Sequence, residues 1–121
     1  MERQPYSEFL GVELLTVDEN QATGRIAFRE ELTDVFGHLS GGAYHGLADA
    51  VGGACARATG ANYTMQCCDV QYYASTTEED KYLYAKATLR HRGSRTCIIA
   101  VELYHEDGVI AGDAQCSYSK F

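Results

Sequence analysis

The stretch from Gly41 to about Thr59 constrains the fold more than any other, because it has helical spacing without helical propensity. Ala43, Leu47, Ala50, Val51, Ala54 and Ala58 recur at steps of three and four, the period of a helix that buries one side. Gly46, Gly52 and Gly53 fall inside the same run, and each costs an isolated helix about 1 kcal/mol relative to alanine. Such a helix must be held by tight packing, and its small side chains let a sheet approach closely. Gly60 supplies a stop at its C-terminal end.

The flanking sequence provides that sheet. After a turn over Pro5 to Leu10, Val12 to Thr16 and Ala22 to Arg29 read as a hairpin across the polar run Asp18-Glu19-Asn20-Gln21. In its second arm Ala22, Gly24, Ile26 and Phe28 point one way and Thr23, Arg25 and Arg29 the other. Beyond the helix, Cys68, Val70 and Tyr72 alternate with Asp69, Gln71 and Tyr73, and Leu83, Ala85, Ala87 and Leu89 alternate with their polar neighbours. Arg95 to Tyr104 and Val109 to Tyr118 follow, joined at Glu106-Asp107-Gly108, where Asp-Gly is a strong hairpin signal. The predicted order is a hairpin, one long helix and four strands of an antiparallel sheet, an α+β fold in one domain over residues 1–121, with no repeat or linker.

Charge and cysteine usage narrow the function. A net charge of -7 argues against a nucleic-acid surface, which needs clustered cations. Half of the ten basic residues nevertheless lie between Lys81 and Arg95, namely Lys81, Lys86, Arg90, Arg92 and Arg95. That segment is either a solvated strand face or a cationic patch for a compact polyanion such as coenzyme A. No run approaches the roughly 18 apolar residues of a membrane span, and Met1-Glu2-Arg3-Gln4-Pro5 lacks the apolar middle of a signal peptide, so a cytoplasmic protein with no membrane partner is expected. The five cysteines are odd in number and form no Cys-x-x-Cys pair, which predicts reduced, mostly buried, inert thiols and no zinc site. His45 and Asp49 stand four apart without a third ligand, so no metal is expected. Gly37-His38-Leu39-Ser40-Gly41 has its serine one residue too late for a nucleophile elbow.

The run Asp34-Val35-Phe36-Gly37-His38-Leu39-Ser40-Gly41-Gly42-Ala43-Tyr44-His45-Gly46-Leu47-Ala48-Asp49 resembles the helix start of the PaaI-like acyl-CoA thioesterases, a hotdog-fold family. There the pattern is Asn-x-x-Gly-x-x-His-Gly-Gly, four residues, then Leu-Ala-Asp. Gly37, Gly41, Gly42, Leu47, Ala48 and Asp49 match in spacing, whereas Asp34 replaces the usual asparagine and Ser40 the usual histidine. Val70-Gln71-Tyr72-Tyr73-Ala74 and Arg92-Gly93-Ser94-Arg95 are similar to later segments of the family. The resemblance implies a curved antiparallel sheet wrapped around one central helix. It also implies hydrolysis of an acyl-CoA to free acid and CoA, with no cofactor beyond the coenzyme A of the substrate. Its assembly would be a homodimer or homotetramer with interfacial sites: Gly41 and Asp34 from one chain, Asp49 from its neighbour.

Thioester hydrolysis needs a base or nucleophile and donors for the oxyanion that develops. Asp49 can serve as either, although spacing alone makes an aspartate among alanines a solvent-facing residue. Gly41 and Gly42 open the helix, where backbone N–H groups lack intrahelical partners and can polarise a thioester oxygen. Ser40 reads both as an N-cap and as a substrate contact. Tyr44, His45, Arg92 and Arg95 complete the expected substrate-binding set, with the tyrosines suited to an aryl or medium-length acyl chain or to ordinary packing. If Asp34 and Asp49 face one another across a subunit boundary, the two share a proton. Two other readings stay open. Phe36-Gly37-His38 is similar to the catalytic turn of hotdog hydratases and dehydratases, and the departures at Asp34 and Ser40 permit an acyl-CoA binder without catalysis.

Overall fold

The computed structural model describes residues 4–121, so the reading made on Met1 to Arg3 lies outside the described residues. The chain runs from a short helix α1 (Pro5–Leu10) through the hairpin β1 (Glu13–Val17) and β2 (Gln21–Ala27) to a 17-residue helix α2 (Gly41–Arg57). Strands β3 (Tyr63–Tyr72), β4 (Tyr82–Arg92), β5 (Thr96–Tyr104) and β6 (Ile110–Lys120) follow. They form a six-stranded sheet in the order β1-β2-β4-β5-β6-β3 with every pair antiparallel. The sheet closes on α2, which touches all six strands, and this is the hotdog arrangement.

The glycines inside α2 mark where its surroundings come closest. A Cβ on Gly46 would lie 2.5 Å from Leu10 of α1, and one on Gly52 would lie 2.7 Å from the Tyr118 hydroxyl of β6. Leu47, Val51 and Cys55 are fully buried on the helix, against Ile26, Leu83, Ile99 and Leu103 from the strands. Each large side chain contributes about 1.5–3 kcal/mol by leaving water, which offsets the poor propensity of the helix itself.

The expected faces hold in β2 and β4: Ala22, Gly24, Ile26, Leu83, Ala85 and Ala87 are buried. Several boundaries differ. Pro5–Leu10 is a helix, not only a turn, and Gly11 closes it in a left-handed conformation. Helix α2 ends at Arg57, two residues before the expected end, and Gly60 sits beyond the cap at φ +94°, its N–H on the Arg57 carbonyl. Strand β3 begins at Tyr63, five residues before the alternation at Cys68, because an irregularity between Met65 and Cys67 breaks the two-residue period. The same irregularity leaves Cys67 exposed, which corrects the expectation of burial for that thiol; Cys55, Cys97 and Cys116 are buried and all five cysteines are free.

Arg92 ties the end of α2 to the β1–β2 turn. Its guanidinium donates to the carbonyls of Ala56 (3.1 Å) and Cys55 (3.4 Å) in the last turn of α2, and to that of Glu19 (3.0 Å) in the β1–β2 turn. Cys55 and Ala56 lie at the negative end of the helix dipole, where the Cys55 carbonyl also takes the Ala58 N–H of the cap (3.2 Å), so a fixed cation there is favourable. Arg92→Ala is expected to lower stability by about 1–2 kcal/mol, read as a shifted urea midpoint, and lysine is expected to restore only part because it lacks the fork. Arg95 is exposed.

Candidate functional site

The turn that leads into α2 is built on the Asp34 carboxylate. Its Oδ1 accepts the N–H groups of Phe36 (2.8 Å) and His38 (3.1 Å), and its own N–H donates to the His38 carbonyl (2.7 Å). Gly37 stands in this turn at φ +80°, a conformation that favours glycine. Acceptance, not donation, is what this position needs locally, which explains how a carboxylate serves there.

Ser40 then caps the helix. Its Oγ accepts from the Gly42 N–H (3.3 Å), and its carbonyl takes the N–H groups of Ala43 (2.9 Å) and Tyr44 (3.4 Å). Among the described residues no acceptor lies on the Gly41 N–H. Gly41 is exposed and opens on a cleft of about 320 Å³, lined also by Asp34, His38, Tyr44, Tyr72 and Tyr73. The structure therefore gathers Asp34, Gly41 and Tyr44 at one mouth, with a free backbone donor at the positive end of a 17-residue helix.

Aromatic rings wall this cleft. The Tyr72 hydroxyl donates to the Gly41 carbonyl (3.1 Å), and its ring lies 5.4 Å from that of Tyr44. Tyr44 presents only ring surface, because it is 2% exposed and its hydroxyl is committed to the Ala74 carbonyl (2.6 Å) and Thr76 Oγ1 (2.7 Å). Burial pushes the Tyr44 phenol above its ordinary value, so it remains a donor. Thr76 Oγ1 continues to His105 Nε2 (3.0 Å), whose Nδ1 faces Asp80 (3.5 Å). This buried chain Tyr44-Thr76-His105-Asp80 fixes the wall of the cleft, and its members are separated in sequence and escape motif reasoning. Thr76→Val keeps the shape but strands His105 Nε2, and is expected to cost about 1–3 kcal/mol in a thermal or urea denaturation.

His45 is exposed and Asp49 half-buried on α2, and neither lines the cleft. Asp49 stands eight positions after Gly41, about 12 Å along the axis. The carboxylate instead meets Tyr118 of β6, whose hydroxyl lies 3.3 Å from Asp49 Oδ1 and 3.2 Å from the Asp49 carbonyl. Tyr118 was not among the expected site residues, since a tyrosine in an alternating strand reads as packing. Cys68 and Cys116 pair across β3 and β6 with sulfurs 3.3 Å apart. The hydrogen bond between the two thiols holds Cys68 below the ordinary thiol value, while that same bond and burial raise Cys116. Among the described residues no group of three or more His, Cys, Asp or Glu side chains could hold a metal ion, and no helix is long and apolar enough to cross a membrane.

Solved structures share this architecture. AziG of S. sahachiroi superposes with a TM-score of 0.94 at 23% identity, covering 99% of this chain and 98% of its own. The E. coli PaaI protein from the phenylacetic acid degradation operon gives 0.91 at 16% identity, covering 98% and 86%. A mutant of the phenylacetic acid degradation protein PaaI from Thermus thermophilus gives 0.89 at 21%, covering 98% and 100%. At these identities the likeness establishes the hotdog fold. No curated protein matches the sequence. The model of the Thioesterase superfamily matches residues 36–111, more than half of the chain, from the turn before α2 to the start of β6. The chain belongs to the thioesterase superfamily.

Proposed function

We propose that the protein hydrolyses an aryl- or short- to medium-chain acyl-CoA to the free acid and coenzyme A. The observation that carries this reading is the unpaired Gly41 N–H, which opens on an aromatic cleft while Ser40 occupies the neighbouring Gly42 N–H. A thioester oxygen seated there gains a fixed donor whose partial charge is strengthened by the helix, and this donor counts for more as the oxygen becomes an oxyanion. Glycine lets the substrate approach the backbone without a Cβ in the way.

Asp49 supplies the attack, either directly on the carbonyl carbon or by taking a proton from the attacking water. Collapse of the tetrahedral intermediate breaks the C–S bond, and the sulfur leaves as the thiol with the proton that Asp49 took from water; where Asp49 attacks directly, the sulfur is protonated by solvent and water then hydrolyses the mixed anhydride to the free acid. Since Gly41 and Asp49 of one chain lie about 12 Å apart along α2, the pair that acts on one carbonyl comes from two chains, in a homodimer or homotetramer. The rings of Tyr44 and Tyr72 suit an aromatic or medium-length acyl group beside Gly41.

The test is thiol release from a panel of aryl- and straight-chain acyl-CoA substrates, with Asp49→Asn alongside. Turnover of at least one member, lost in the variant, supports the reading. Hydration of an enoyl-CoA without thiol release would instead establish the hydratase, and binding of acyl-CoA without either reaction would establish a binder.

A further inference from the structure

We propose that Tyr118 is a positioning residue for Asp49, its hydroxyl held in a slot left by Gly52 so that it donates to the carboxylate and fixes it in one orientation. This rests on the reading of Asp49 as the residue that drives hydrolysis.

The packing is specific to that hydroxyl. Tyr118 is fully buried, so its O–H needs an acceptor, and the oxygens within reach are the Oδ1 and the carbonyl oxygen of the same residue, Asp49, with the weaker Cys116 sulfur beside them. Gly52 lies three residues past Asp49, on the adjoining surface of α2, and a Cβ there would stand 2.7 Å from the Tyr118 oxygen. The helix thus gives up a side chain where the phenol tip enters. The Asp49 carbonyl also lies within the hydrogen-bonded ladder of α2, whereas the carboxylate is a charged acceptor that gains more from a donor.

A carboxylate held in one orientation presents the same oxygen to the attacking water or to the carbonyl carbon at each turnover. The other titratable groups facing Asp49 are the Cys116 thiol of β6 and the Cys68 thiol of β3, with His45 one turn back on α2 itself. Burial first, then the neighbouring Cys116 and Asp49, raise the Tyr118 phenol far above its ordinary value, so it stays protonated wherever the enzyme works.

Tyr118→Phe is the direct test, measured as thiol release over the acid and neutral pH range with an acyl-CoA that the wild type turns over. The expected result is a kcat reduced roughly five- to tenfold near neutrality with KM changed little. In an Asp49→Asn background the same change should have no further effect on residual turnover. Gly52→Ala provides a second route: it keeps the phenol but pushes its tip off the carboxylate, and the same loss of kcat with little change in KM is expected. Should Tyr118→Phe fail to fold, Gly52→Ala carries the test. A variant profile that superimposes on the wild type overturns the proposal, and so does an equal loss in the Asp49→Asn background. Full turnover by Asp49→Asn alone would overturn the underlying reading of Asp49, an outcome distinct from an inactive Asp49→Asn beside an unaltered Tyr118→Phe.

Discussion

Replacing Asp49 with asparagine is expected to leave the fold intact while thiol release from an acyl-CoA falls about 10³-fold. The substitution is nearly isosteric, and the amide oxygen can still accept from the Tyr118 hydroxyl that lies 3.3 Å from Asp49 Oδ1. What disappears is the charge, and with it the capacity to take a proton from water or to attack the carbonyl carbon. Proton transfer by a positioned group is worth roughly 10²–10⁴ in rate, and the Gly41 donor remains to polarise whatever oxygen occupies the cleft. The variant should therefore bind substrate with little change in KM and lose kcat. Far-UV circular dichroism and thermal midpoint establish that it is folded; the acyl-CoA assay reads the loss. Turnover within tenfold of the wild type would assign the chemistry to another residue and would return His38, which lines the cleft beside Gly41 and Asp34, to the centre of the question.

Local periodicity made the skeleton of this protein legible, and long-range geometry kept the rest out of view. Ala43, Leu47, Ala50 and Val51 lie on the buried side of α2 because helical spacing admits one face, and Ala22, Ile26, Leu83, Ala85 and Ala87 are buried because a strand alternates. The turn after His105 is legible for a chemical reason: Gly108 adopts φ +92° while Asp107 accepts the Val109 N–H at 3.0 Å. The start of β3 is missed where the irregularity at Met65 to Cys67 interrupts alternation. At the site, the resemblance singles out Gly41, Asp34 and Asp49 from a single stretch of chain. Arg92 reads as a free cation because its three carbonyl partners belong to other elements, and Tyr118 reads as packing because Asp49 lies 69 residues before it. Functional side chains that depend on distant partners leave no spacing to detect.

Gly112→Ala is expected to lower stability by about 2–3 kcal/mol, more than any other single methyl considered, and to depress turnover with it. Gly112 sits on β6 with Tyr72 of β3 opposite on one side and Leu103 of β5 on the other. A Cβ there would stand 2.5 Å from the Gln71 carbonyl oxygen, a backbone atom that cannot rotate away as a side chain tip could. Relief requires the end of β3 to move from β6, because β5 pairs β6 along its other edge and is itself held by β4. The end of β3 carries Tyr72, whose hydroxyl is on the Gly41 carbonyl and whose ring walls the cleft, and just beyond it lies Ala74, which holds the Tyr44 hydroxyl. A displacement made to admit one methyl therefore reaches the candidate oxyanion donor through two hydrogen bonds. For a domain of this size the loss corresponds to a thermal midpoint lower by roughly 10 °C. Glycine within a strand is the sequence mark of such an approach, since backbone from a neighbouring strand can come that near only where no side chain stands. A midpoint equal to that of the wild type would mean that β3 accommodates the methyl freely and that strand register is not coupled to the Gly41 cleft.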